Sequence, residues 1–389
     1  MSVTTPQGFV AAGAACGIKA SGDLDLALVA TEDGRPVTAA AVFTSNLAAA
    51  PPVQLSRSNL AATGGRASAV IVNSGNANAA TGAPGRAHAE RMAELVADRL
   101  GCAAREVLVC STGLIGIPLP IGAVESGIGA LVDRAARGAT EDDAAAHAIL
   151  TTDTRAKRVL LEEDGFTLGG MAKGAAMLAP NMATMLAVLT TDAALDHPAI
   201  DEALRAAVTS SFNAMTVDGC TSTNDTAILL ASGRRGRVDE SSFAAALARA
   251  CGSLSQQMAA DAEGATKMAR IRVVGAASDG DAATAARKVA QSQLVQCSLH
   301  GEDPYWGRVV SELGSSGAAF DPDRVSVAYG GVVVCRDGVA CDHDRAVVAA
   351  HMSERDISIS VNLGLGSGQA AIVFTDLGPG YIAENMTTS

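Results

Sequence analysis

Short apolar runs that end in clusters of Gly, Asn, Ser and Thr recur along this chain. "ASAVIVNSGNANAATG" predicts a buried strand over Ala69–Val72 that runs into a polar loop. Val107-Leu108-Val109-Cys110 predicts another, followed by an abrupt turn at Ser111-Thr112-Gly113. "ALVATEDGRPVTAAAVFTSN" reads as two strands around an Asp33-Gly34 turn, and "RVLLEEDGFTLGGMAKG" as a hairpin with Asp164-Gly165 at its tip. Met185–Leu189 has the unbroken apolar character of a fully buried strand.

Helical spacing appears between these runs. Met92, Leu95, Val96 and Leu100 share one face of a helix over 88–100, with Gly101 as its stop. Ile200, Leu204, Val208, Phe212 and Met215 mark a second, opened by Asp196 and Pro198. Phe243, Leu247, Cys251, Leu254 and Met258 mark a third that ends near Glu263-Gly264. The last hundred residues lean towards strands: Ile357, Ile359, Val361 and Leu363 alternate, and Val325, Val327, Val332 and Val334 flank Gly330-Gly331. The polar stretch Ala277–Lys288 reads as a segment that separates or decorates this part. The pattern predicts an α/β layered fold with antiparallel or mixed sheets.

Composition narrows the function classes. The 389 residues carry a net charge of −12, which argues against a nucleic-acid or anionic-membrane partner. Hydrophobic residues reach 48 % and the 40 glycines have no fixed period, so turns rather than disorder explain them. No apolar run of membrane-spanning length occurs, and no basic segment precedes the small apolar run at the N-terminus. Eight cysteines without a C-x-x-C pair point to free thiols in a reducing, cytoplasmic setting. The six histidines lack ligand spacing, so neither a metal nor a cofactor is expected.

Familiar motifs fail on inspection. "NLGLGSG" at Asn362–Gly368 has the wrong glycine spacing for a dinucleotide loop and reads as a turn. Lys173-Gly174 lacks the rest of a phosphate loop, and no G-x-S-x-G elbow exists. Three small-residue loops remain: Asn73–Asn78, Ser111–Gly116 and Thr221–Thr226. Each alone suits a turn. Together they have the composition of an acyl-transfer site, which needs a nucleophile, a base and donors for an oxyanion. Thr112-Gly113 could supply a hydroxyl and a closely approaching backbone N–H. In "KGAAMLAPNMATMLAVLTT" two readings of Thr184 stand open: the edge of a core strand after a proline bend, or a chain terminus made by self-cleavage that then acts as nucleophile. Lys173 reads equally as an exposed lysine beside a glycine turn, and Glu263 as a solvated charge at a helix end.

"KGAAMLAPNMATML" closely resembles the self-cleavage segment of the ornithine acetyltransferase family, the glutamate N-acetyltransferases of arginine biosynthesis. "IVNSGNANAATG", "STGLIG", "TTDT" at Thr151–Thr154, "SFNAMTVDGCTSTNDT", "DAEGATK" and "HGEDPYWGR" extend the resemblance over essentially the whole chain. It implies cleavage between Ala183 and Thr184, Thr184 as nucleophile, and Thr112 and Gly113 as the oxyanion hole. It implies substrate contacts from Thr151, Lys173, Thr184, Glu263, Asn385 and Ser389, with Thr152 and Thr388 as alternatives to Thr151 and Ser389. The substrates implied are N2-acetylornithine and glutamate, with acetyl-CoA as an open second donor. The fold implied is a layered αββα sandwich of the aminopeptidase/ornithine acetyltransferase superfamily, here assigned to residues 1–270. A smaller α/β domain over 271–389 would complete the substrate site, and the cleaved halves would pair as an α2β2 heterotetramer. A β-aminopeptidase or amidase of the same fold is the alternative. Tyr305, Cys220 and Ala80 depart from the usual family residues, and the C-terminus is about one residue short.

Overall fold

The unbroken apolar character of the early strands already demands two covered faces. In the computed structural model, which describes residues 2–177 and 185–386, both faces are covered. In chain order the elements are β1 (Phe9–Ala14), β2 (Leu26–Thr31), β3 (Val37–Phe43), α1 (Pro51–Ala62), β4 (Arg66–Ala67), β5 (Ala69–Asn76), α2 (Gly82–Leu100), β6 (Val107–Leu114), α3 (Ile121–Ala135), α4 (Asp142–Ala148), β7 (Lys157–Glu163), β8 (Phe166–Lys173), β9 (Leu186–Ala194), α5 (His197–Ser210), β10 (Met215–Thr216), β11 (Thr226–Arg237) and α6 (Glu240–Ala259). There follow β12 (Met268–Ala276), α7 (Asp279–Ala290), α8 (Gln293–His300), α9 (Trp306–Gly314), β13 (Ser326–Tyr329), β14 (Val332–Arg336), β15 (Val339–Ala340), α10 (Arg345–Ser353), β16 (Asp356–Asn362), β17 (Gly368–Thr375) and α11 (Pro379–Asn385).

The chain forms two units: one runs to Asn213 and includes Cys220–Met258, the other takes Ala214–Gly219 and the chain from Ala259 onward. The first unit holds a four-stranded sheet, β1-β2-β5-β6, and a six-stranded sheet, β4-β3-β11-β9-β8-β7. Phe9, Val29, Val70 and Leu108 of the four-stranded sheet meet Met171, Val188, Ile228 and Leu230 of the other in one buried cluster. The alternate residues Val10, Leu28, Ile71 and Val109 face outward onto Met92 and Val96 of α2 and Ile128 and Leu131 of α3. This is the period of two read in space. On the far face of the six-stranded sheet, Phe166 meets Phe243 of α6 with ring centroids 5.5 Å apart. Helix, sheet, sheet, helix: the αββα sandwich is present. Each large apolar side chain removed from water here contributes about 1.5–3 kcal/mol.

Local signals explain the element ends. Gly101 closes α2 in the left-handed region at φ 73°, donating its N–H to Ala97 O. The Asp196 carboxylate caps α5 by accepting from Ala199 N. In the second unit a seven-stranded sheet is ordered β10-β17-β12-β16-β13-β14-β15. Ile357, Ile359 and Val361 of β16 point inward with Ala282, Ala286 and Val289 of α7.

Several expectations are corrected. The Asp33-Gly34 turn joins β2 and β3, yet the two lie in different sheets, because each finds its partners elsewhere: β1 and β5 for β2, β11 and β4 for β3. Ser111-Thr112-Gly113 is no abrupt turn, since β6 continues beside β5 to Leu114. The helix at Ile200 stops at Ser210, leaving Phe212 in a short 3-10 turn and Met215 in β10. The third helix ends at Ala259, before Glu263. Ala277–Lys288 is mostly α7, capped by Ser278, with alanines rather than large residues on its buried side. The boundary drawn at 270/271 falls inside β12, which belongs wholly to the second unit.

Candidate functional site

The parallel pair β5 and β6 sets Asn73 beside Ser111, Ser74 beside Thr112 and Gly75 beside Gly113. Side chains then lock these strand ends. Ser111 Oγ donates to Asn73 Oδ1 at 2.6 Å, and Asn73 Nδ2 donates to Asn76 O at 2.8 Å. Asn224, from the third small-residue loop, donates to Ser111 O at 2.9 Å and Ala77 O at 2.7 Å. Gly113 sits at φ 132°. A Cβ there would stand 2.2 Å from Gly75 C and 2.4 Å from Asn76 N, so only glycine lets the two backbones approach.

Lys173, the last residue of β8, is 3 % exposed, which removes the reading of an exposed lysine. Its ammonium donates to Thr112 Oγ1 at 3.2 Å and Thr151 Oγ1 at 2.7 Å. A hydroxyl that accepts from an ammonium keeps its own hydrogen for another acceptor. Both threonines are therefore charge-assisted donors. Thr112 beside a glycine amide has the composition of a donor pair for an oxyanion.

Beneath them lies a residue to which the sequence analysis gave no role. The Asp153 carboxylate is fully buried and pairs with Lys157 and, at 3.8 Å, with Lys173. It also accepts from Gly174 N at 2.7 Å and Thr151 N at 3.2 Å. Burial alone would raise its pKa, but the two lysines and the Gly174 amide outweigh that and hold it below the ordinary carboxylate value. Asp225, at the head of β11, was also missed. Its Oδ1 accepts from Met185 N at 3.0 Å, and its buried Oδ2 has no hydrogen-bond partner among the described residues. Burial pushes this carboxyl well above its ordinary value, against the pull of the Met185 amide, Ser222 and Lys173. The D in "TTDT" and in "TSTNDT" was the only sequence signal for either.

In the second unit Asn385 Nδ2 donates to Glu263 Oε2 at 2.8 Å and to Tyr381 O at 2.9 Å. Glu263 is 8 % exposed, so it is not a solvated helix-end charge. Gly264 allows the close passage of α11, since a Cβ there would lie 2.1 Å from Tyr381 N. Thus Thr112, Gly113, Thr151 and Lys173 gather in one unit, and Glu263 and Asn385 in the other. Ala183, Thr184 and Ser389, with Thr388, lie outside the described residues. Among the described residues no cluster of His, Cys, Asp and Glu is arranged to hold a metal, and no helix is long and apolar enough to cross a membrane.

A layered αββα sandwich holding two hydroxyls on a buried ammonium, one of them beside a glycine amide, has the composition of an acyl-transfer enzyme. The sequence pattern of the ArgJ family matches residues 10–388. The chain is 48 % identical over 390 residues to an arginine biosynthesis bifunctional protein ArgJ of Thermobifida fusca, covering all of both chains. It is 48 % identical to the protein of that name from Mycobacterium tuberculosis, covering 100 % of this chain and 96 % of the relative. Among solved structures, one described as ornithine acetyltransferase of M. tuberculosis complexed with ornithine is 48 % identical with a TM-score of 0.42, covering 46 % of this chain and 94 % of that one. An ArgJ protein of Bacillus halodurans is 34 % identical with a TM-score of 0.49, covering 51 % and 96 %. The chain belongs to the ArgJ family and is an acyltransferase enzyme of arginine biosynthesis.

Proposed function

We propose that this enzyme moves an acetyl group from N2-acetylornithine to glutamate through an acetyl ester on Thr184, a residue it exposes by cutting its own chain between Ala183 and Thr184. The observation that carries the reading is the Lys173 ammonium bonded to both Thr112 and Thr151. In the precursor the Thr184 hydroxyl attacks the Ala183 carbonyl carbon. The peptide C–N bond breaks as the ester forms, which frees the Thr184 amine, and water then hydrolyses the ester to release the Ala183 carboxylate and restore the Thr184 hydroxyl. That amine, with a reference pKa of about 7.7–8.0, then accepts the hydroxyl proton near neutrality. This accounts for catalysis without a histidine base.

In each turnover Thr184 Oγ attacks the acetyl carbonyl, the Thr112 hydroxyl and the Gly113 amide hold the oxyanion, and ornithine leaves with its amine protonated. The glutamate amine then attacks the ester and restores the hydroxyl. Thr151, Lys173, Glu263, Asn385 and Ser389 serve as substrate contacts, Glu263 for the ornithine ammonium. The M. tuberculosis relative described in complex with ornithine supports the substrate class, and the name "bifunctional" shared by the relatives supports acetyl-CoA as a second donor. The halves are assigned to an α2β2 assembly.

Mass spectrometry of the purified 39.0 kDa chain tests this. Two fragments are expected, the second beginning at Thr184, and donor alone should add one acetyl group to that fragment. Thr184→Ala should stay whole and inactive. A fully active wild type that remains uncut, or intersecting initial-rate plots with no acetyl-enzyme, refutes the scheme.

A further inference from the structure

We propose a second small-molecule site, separate from the Lys173 cluster, at the open edge of the six-stranded sheet between α1 and α5. It would take an organic oxyanion with a short apolar arm.

The edge is open because β4 is too short to cover it. β4 pairs only with Val37 and Thr38, and Ala39 is satisfied by Gly65 O and by His197 Nδ1. Backbone direction alternates along an antiparallel strand. Ala39 points outward and Thr44 N bonds inward to Asp225 O, so Ala41 and Phe43 also point outward. Their N–H and C=O groups meet no neighbouring strand among the described residues. They face a cavity of about 490 Å³ lined by Phe43, Arg57, Leu60, His197, Asp201 and Arg205. That volume suits a small ligand.

The charge of the cavity points to the ligand's head. Arg205 is tied to Asp201 at 2.7 Å. Arg57 stacks over the Phe43 ring at 5.5 Å and spends one N–H on Thr44 O at 3.1 Å. It has no carboxylate partner among the described residues. The cavity is therefore a positive spot on a chain whose net charge is −12. A guanidinium fork with adjacent amide N–H groups binds carboxylate or phosphate oxygens well. The Phe43 ring and Leu60 supply a wall for the apolar arm. A hydrogen-bonded path leads inward: Arg57 to Thr44, Thr44 N to Asp225 O, and Asp225 to Met185 N.

Calorimetry on the whole enzyme, with ornithine saturating, tests the site. The probes are valerate and n-butyl phosphate, which share an arm and differ in head, with acetate and inorganic phosphate as armless controls. One armed probe should bind, and which head is preferred separates a carboxylate from a phosphate ligand. Arg57→Gln and Arg205→Gln should each weaken that binding about tenfold. Hydrogen exchange read by mass spectrometry should slow over residues 39–44 when the probe is added. Failure of both armed probes to bind, binding unchanged in both variants, or unaltered exchange over 39–44 at saturation would overturn the proposal. None of these outcomes depends on whether Thr184 is the nucleophile.

Discussion

Replacing Asp153 by Asn should unlatch the cluster around Lys173 while hardly changing its shape. Asp153 has no exposed side-chain surface and faces two ammonium groups, Lys157 and Lys173. Its carboxylate also collects the amides of Gly174 and Thr151. Asparagine can keep one amide acceptor but removes the counter-charge from both lysines. Breaking a buried pair this way typically costs about 3–5 kcal/mol, because a buried charge loses its compensation. The pH dependence gives a second signature. The folded pKa of Asp153 lies below its ordinary value. The stability it confers is thus complete above the unfolded value of about 3.9 and is lost as pH falls through the folded value. Urea denaturation from pH 3 to pH 7, in a Thr184→Ala background that should keep one chain, reads both. The variant should lose several kcal/mol at pH 7, and its gap to the parent should narrow towards the acid end. A loss under about 1 kcal/mol at pH 7 with an unchanged pH profile would refute the latch.

Three further outcomes are expected. Thr112→Ala should lower kcat by about 10²–10³ with little change in KM, as for loss of one oxyanion donor, and steady-state kinetics on the processed variant check it. Asp225→Asn should raise thermal stability at pH 8 but not at pH 4. The raised carboxyl contributes stability that is full below its unfolded pKa and lost as pH rises, whereas asparagine does not titrate. Glu263→Gln should reduce kcat/KM for N2-acetylornithine about tenfold more than for glutamate, measured with each substrate varied in turn.

Periodicity made the sandwich legible where one face of an element is apolar and the other is not. α2 and β16 show their burial directly in their spacing, and the β7–β8 hairpin in its Asp164-Gly165 turn. What failed was pairing. Nothing local to Asp33-Gly34 tells that β2 and β3 go to opposite sheets, because the choice is made by partners far along the chain. α7 escaped notice because its buried side is alanine apart from Val289, so no spacing of large apolar residues marks it. At the site, Thr112 and Gly113 were readable as a hydroxyl beside a backbone that must come close. Asp153 and Asp225 were not, since a buried aspartate looks in sequence like any turn former. Only the fold reveals that one faces two lysines and that the other is buried beside the Met185 amide.

The placement of β9 bears on the order of events in the life of this enzyme. β9 lies inside the six-stranded sheet, parallel to β11 and antiparallel to β8, with Leu186 at its head opposite both Lys173 and Thr226. A cut just before it would sever the backbone but neither ladder. The two polypeptides would then be fastened by a strand that cannot slip out without opening the middle of the sheet. If the proposed cut is made, assembly would precede it, and separately made halves should seldom find each other. The break would be a maturation mark on a finished object, invisible to its stability until the object is unfolded, and irreversible thereafter.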